Sequence, residues 1–123
     1  MNIDTGSEKP IFIQIAEQLE DSIFIGVFLE ETKIPSTNEI SALFNINPHT
    51  VLKGMNMLVD ENIIYKKRGL GMYVTSGAVD KIRLKRQEQF YSQYVESMMN
   101  EAKKLGMNKS QIINMIERGY KDD

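Results

Sequence analysis

Side chains able to grip a polyanion cluster in the middle of this sequence. Lys66, Lys67 and Arg68 run straight into Gly69-Leu70-Gly71, a cationic stretch beside a glycine turn. The formal charge of the whole chain is −2, yet it is unevenly spread. Residues 1–32 carry one Lys/Arg against seven Asp/Glu, residues 33–86 nine against four, and residues 87–123 five against six, giving −6, +5 and −1. Screening over about 8 Å at physiological salt lets the central surplus act on a phosphate backbone regardless of remote acids. A solvated charged face is the plainer reading of the same run. Catalytic chemistry has little to work with. The sequence has no cysteine and one histidine, His49, which removes thiol catalysis, cysteine zinc sites and multi-histidine metal sites within one chain. It also lacks a phosphate-cradling glycine loop and a convergent carboxylate motif, so we expect neither an enzyme nor a cofactor.

The elements that must position these residues follow from periodicity and capping signals. After Pro10, the residues Phe12, Ile15, Ala16, Leu19 and Ile23 recur at helical spacing up to Gly26. Val27-Phe28-Leu29 reads as a minor strand, followed by the acidic turn Glu30-Glu31-Thr32-Lys33. Ser36-Thr37-Asn38-Glu39 fits a capping box that starts a second helix with Ile40, Leu43 and Phe44 on its apolar side, ending near Asn45. Asn47 then caps a third helix with Pro48 in its first turn and Val51, Met55 and Leu58 buried, running to about Glu61. Gly54 inside that helix costs about 1 kcal/mol relative to alanine and marks close packing. Residues 63–68 and 72–75 read as a β-hairpin with a basic tip. From about Ala78 to Leu105 a long helix carries Leu84, Tyr91, Met98 and Leu105 at heptad spacing, with Tyr94, Val95 and Ala102 adjoining. Gly106 stops it, and Asn108 with Gln111 starts a last short helix presenting Ile112, Met115, Ile116 and Tyr120.

Helix, helix-turn-helix and basic hairpin, in that order, make a winged helix, which lays its third helix in the DNA major groove and its wing against the backbone or minor groove. The fold class expected is mainly α with a small β-hairpin: a winged helix-turn-helix over residues 1–76, followed by a two-helix dimerisation or effector region over residues 77–123. Residues 10 to 75 resemble the DNA-binding domain of the GntR superfamily of bacterial regulators. The resemblance is carried by Pro10-Ile11-Phe12-Ile13-Gln14-Ile15, Ile34-Pro35-Ser36-Thr37-Asn38-Glu39-Ile40, Ile46-Asn47-Pro48-His49-Thr50-Val51 and Arg68-Gly69-Leu70-Gly71-Met72-Tyr73-Val74. The asparagine-proline helix start and the short helical tail look most like the YtrA subfamily. The resemblance implies phosphate contacts from Ser36 and Asn38, contacts to base edges or flanking phosphates from Asn47, His49 and Thr50, a phosphate or guanine contact from Lys53, and a DNA-facing wing of Lys67, Arg68, Gly69 and Gly71. Departures from the family pattern are Asn38 and Pro48 where many members have arginine, Leu52 at a position often basic, and Glu31 at a common turn glycine. Base readout is accordingly less strongly implied than phosphate anchoring.

The tail offers three readings. Its apolar stripe, extended by Met115 and Ile116, could pack within one chain, between two chains, or around a small-molecule effector of unknown identity. Two helices bury little alone, whereas two copies make a four-helix arrangement, so a homodimer reading a palindromic operator is the expectation. Met98, Met99, Met107 and Met115 suit core filling or an adaptable pocket. The resemblance implies a repressor acting on double-stranded DNA; a winged helix serving as a protein-interaction adaptor is the alternative. Larger relatives add a ligand-binding or aminotransferase-like domain, which at this length we do not expect here. No apolar run approaches the roughly 20 residues of a membrane-spanning helix, and the N-terminus does not read as a signal peptide, so we expect a cytoplasmic protein without a membrane partner.

Overall fold

A computed structural model describes residues 2–121. The elements are α1 (Ile11–Phe24), α2 (Thr37–Phe44), α3 (Pro48–Asp60), β1 (Ile64–Lys67), β2 (Gly71–Val74), α4 (Ala78–Phe90), α5 (Glu96–Lys104) and α6 (Lys109–Gly119), with a π-helical turn over Tyr91–Val95 joining α4 to α5. Mainly helical with one hairpin, this is a winged helix-turn-helix followed by a helical tail. The chain divides into two compact units, one ending at Leu84 and the other beginning at Lys85. Among the described residues no helix is long and apolar enough to cross a membrane.

In the first unit, α3 packs on α1 and α2 around a core of Ile15, Leu19, Ile23, Ile40, Val51, Met55 and Leu58. Pro10 stands at the N-cap of α1. The buried carboxamide of Gln14 ties the N-terminal segment to α1, accepting from the Asp4 amide at 2.8 Å and donating to the Asp4 and Lys9 carbonyls at 2.9 Å each. Both capping boxes form, Ser36 with Glu39 and Asn108 with Gln111. Asn45 ends α2 at φ 52° and ψ 50°, the left-handed geometry that asparagine tolerates. Gly54 is where α3 meets α1. A Cβ there would stand 2.6 Å from the Phe12 carbonyl oxygen and 3.2 Å from the Ile15 side chain, so the glycine permits the approach of the two helices.

The hairpin pairs Ile64 with Val74 and Tyr65 with Tyr73, through to Lys67 with Gly71. The minor strand expected at Val27-Phe28-Leu29 does not form. The Val27 and Phe28 amides both donate to the Ser22 carbonyl in closing the end of α1, which leaves them unavailable to a sheet. Residues 31–34 take that role instead. The Glu31 amide donates to Val74 O at 2.8 Å, Val74 donates to Thr32 O and Ile34 donates to Met72 O, both at 3.0 Å, and Lys33 bridges to Tyr73. Glu31 reaches this path at φ 64°, the turn conformation for which glycine is the usual residue. Leu43 also departs from expectation, being 75% exposed while Ile40 beside it is buried; α2 is short and only one edge of it meets the core. Ala78 and Ile82 are fully buried in the core of the first unit, which is why that unit runs on into the first turns of α4.

Candidate nucleic-acid interface

The outward side of α3 is set by helical spacing. With Val51, Met55 and Leu58 buried, His49, Leu52, Lys53 and Asn56 stand exposed at intervals of three and four residues along one stripe. The first turn is held by Asn47, whose Oδ1 accepts from the His49 amide at 2.8 Å. That bond occupies the carboxamide oxygen and leaves the amide nitrogen of the exposed Asn47 to donate elsewhere. Thr50 is half-buried, in a cleft with Phe12, Phe44 and Ile46 at the base of the helix. The Lys53 ammonium lies 4.1 Å from the centre of the Phe12 ring, so its stem runs back toward α1. Asn56 joins the stripe without having been expected there; the signal lies in the sequence, since it follows Lys53 by three residues.

The start of α2 is a closed arrangement. Ser36 Oγ accepts from the Glu39 amide, and the Ser36 amide donates to Glu39 Oε1, each at 3.1 Å. The Ser36 amide bond, then the Ser36 hydroxyl, then nearby Lys33 hold the Glu39 carboxyl below the usual carboxylate range. Asn38 is exposed one position into the helix.

In the wing, Arg68, Gly69 and Leu70 form the tip, with Gly69 at φ 77° and the Leu70 amide donating to Lys67 O at 2.9 Å. Lys67 sits with its ammonium 4.9 Å from the Tyr73 ring centre, and Tyr73 stacks on Tyr65 at 6.0 Å. Gly71, at φ 119°, is where a Cβ would come within 2.8 Å of Lys33 Cε. Lys33 therefore lies along the wing and joins Lys66, Lys67 and Arg68 in its charge. In the sequence Lys33 reads only as part of a turn; its place beside Gly71 depends on pairing with a strand distant along the chain.

Among the described residues, the tail gathers no comparable polar site. Ala102 is 7% exposed, covered by its own unit, whereas Tyr91, Tyr94, Leu105, Met115 and Ile116 all lie open and Met98 is just over a third exposed. Val95 is half-buried, and Leu84, the last residue of the first unit, is exposed. An apolar groove between α5 and α6, about 360 Å³ in volume, is lined by Met98, Ala102, Leu105, Met107, Met115 and Ile116 among others. Among the described residues no three His, Cys, Asp or Glu side chains gather as a metal site would require.

A capped helix-turn-helix with a polar outward stripe and a cationic hairpin defines a winged-helix protein of the kind that meets nucleic acid. Comparison makes this specific: the sequence profile of the bacterial regulatory proteins of the gntR family matches residues 13–74. The chain belongs to the GntR family. It is 35% identical over 78 residues to the HTH-type transcriptional repressor YtrA of Bacillus subtilis, covering 63% of this chain and 60% of that one. The structure is similar to that of a GntR-family regulator from Bacteroides thetaiotaomicron, at 34% identity and a TM-score of 0.76, covering 90% of this chain and 96% of the other. It is also similar to AraR(DBD) solved in complex with operator ORX1, at 30% identity and a TM-score of 0.55, over 61% of this chain and 93% of that one. The chain spans 60% of the length of the YtrA repressor and less of several other curated relatives.

Proposed function

We propose that this protein is a sequence-specific DNA-binding transcription regulator, a homodimeric repressor of a palindromic operator, in which residues 1–76 meet DNA and residues 77–123 pair the two copies. The observation that carries the reading is the joint presence, in one GntR-family winged helix, of the exposed stripe on α3 and the lysine- and arginine-bearing wing. In the major groove, Asn47 and His49 at the start of α3 reach base edges, Thr50 flanks them, and Lys53 and Asn56 follow one and two turns on. Ser36 and Asn38 approach phosphate at the start of α2, where backbone amides and the helix dipole favour an anion. Lys67, Arg68 and Lys33 neutralise phosphates along the wing, while Gly69 and Gly71 give it its turn and its close packing.

The exposed apolar stripe of the tail supports dimerisation, since two copies would bury what one leaves open, and a two-fold pair presents two α3 helices to half-sites about one DNA turn apart. The methionine-lined groove between α5 and α6 is suited to an apolar effector acting on the pairing of copies rather than on base contacts. Repression is carried out by occupying promoter DNA and involves no catalysis; a bacterial repressor of this kind works in the cytoplasm.

The test is a double substitution, Lys67→Ala with Arg68→Ala, in a salt-titrated binding assay. If the wing grips phosphate, affinity falls for specific and random duplexes alike, and the slope of log K against log salt flattens by about 1 for each phosphate no longer neutralised. An adaptor that meets another protein through the acidic α1 would show no change in either quantity.

A further inference from the structure

The amino end of α4 has no local side chain to cap it. Its N-cap position is Gly77, at φ 84°, and Ser76 stands one residue too early to serve. The cap comes instead from 47 residues upstream: Glu30 Oε1 accepts from the Gly77 amide at 2.8 Å and Oε2 from the Val79 amide at 3.1 Å. A carboxylate bridging two first-turn amides satisfies two donors the helix cannot pair internally and places negative charge at the positive end of its dipole. Glu30 is itself held in place, because the next residue, Glu31, turns through φ 64° and hydrogen-bonds to Val74 of the wing. One side chain thus ties the segment that bridges to the wing to the point where the connecting helix begins. Buried Ala78 and Ile82 anchor the inner side of that helix with Val79 packed beside them. Further along, Lys81 Nζ donates to Asn62 O at 3.3 Å and the Arg83 guanidinium lies 5.7 Å from the Phe24 ring centre, but these contacts are apolar or made by long, exposed side chains and none reaches the backbone at the helix start. The carboxylate supplies a directional restraint.

We propose that Glu30 is a positioning residue that sets the operator spacing the dimer accepts, by fixing the pivot at which α4 leaves the winged helix. The inference rests on the dimeric, palindrome-reading function proposed above. A bivalent binder gains from its second contact only when the linkage holds both modules at the right separation, and a looser pivot spreads that gain over more separations. Glu30 itself is not called on to touch DNA, and its removal should leave each winged helix able to read a half-site.

The experiment begins with a duplex selected by the full chain from a randomised pool. Its half-site is then placed in palindromes of stepped spacing and, separately, alone. For the native chain one spacing should bind about tenfold or more tighter than its neighbours. In Glu30→Ala that preference should shrink to about twofold, with affinity for the single half-site changed by less than about twofold. Glu30→Gln, which keeps one oxygen acceptor, should fall between them, and guards against an alanine variant that does not fold. An unaltered spacing profile in both folded variants would overturn the inference. So would an equal loss at the half-site and at every palindrome, the mark of a general stabilising role. If the native chain selects a site but shows no spacing preference, the dimeric reading fails first and the role of Glu30 falls with it; if no site is selected at all, the DNA-reading function itself is wrong.

Discussion

At the scale of single residues, Asn47 has two tasks that one substitution can separate. Its side-chain oxygen caps α3 through the His49 amide, and its amide nitrogen, on an exposed residue, is left to donate. Aspartate keeps the capping oxygen and is as good an N-cap, but it presents negative charge to a phosphate backbone. Asn47→Asp should therefore leave the thermal midpoint close to that of the native chain while weakening operator binding about tenfold or more, the size of one good base interaction. Parallel thermal melts and binding titrations check this; unchanged binding would reduce Asn47 to a cap. Much of this site is legible in the sequence because caps are local signals: Ser36 with Glu39, Asn47 with Pro48, and the charge of Lys67 and Arg68 all declare themselves within four residues. Lys33 does not, since only the pairing of residues 31–34 with β2 brings it to the wing.

At the scale of elements, the close approach of α3 to α1 depends on Gly54. In a free helix alanine would stabilise relative to glycine by about 1 kcal/mol, yet here its methyl would meet the Phe12 carbonyl at 2.6 Å, and backbone cannot step aside as a flexible side chain can. Gly54→Ala should thus destabilise the domain by about 1–3 kcal/mol, read as a lower urea midpoint, and should weaken DNA binding because α3 is displaced. A stabilised variant would mean that the two helices have room to spare. Most elements are foreseeable, since the periods of α1, α3 and the hairpin are strong. The bridge made by residues 31–34 is not, because Val27-Phe28-Leu29 is the more apolar stretch and apolarity by itself favours pairing there. Hydrogen bonding decides the matter: the Ser22 carbonyl claims the amides of Val27 and Phe28. Spacing alone likewise puts Leu43 in the core, but it says nothing about how far the core extends along a helix of two turns.

At the scale of the whole molecule, the tail leaves Tyr91, Tyr94, Leu105, Met115 and Ile116 open, large side chains that an interface between copies would cover. The proposed remedy is a second copy. Replacing Met115 and Ile116 together with glutamate should yield a monomer by sedimentation, with operator affinity reduced about a hundredfold as the benefit of linked binding disappears, and with single half-site affinity retained. A variant that remains dimeric would move the interface elsewhere in the chain. Heptad spacing in the sequence points to this face, but the π-helical turn at Tyr91–Val95, closed by the Glu96 amide on the Tyr91 carbonyl, shifts the register midway, so the stripe is not one unbroken seam. The central claim, that this is a sequence-specific regulator, is tested most directly by titrating the full chain with duplex from its own upstream promoter region and with random duplex at several salt concentrations. A specific regulator should prefer the promoter site by about a thousandfold or more near physiological salt, with both affinities falling as salt rises. Equal affinity for the two duplexes at every salt concentration would contradict it.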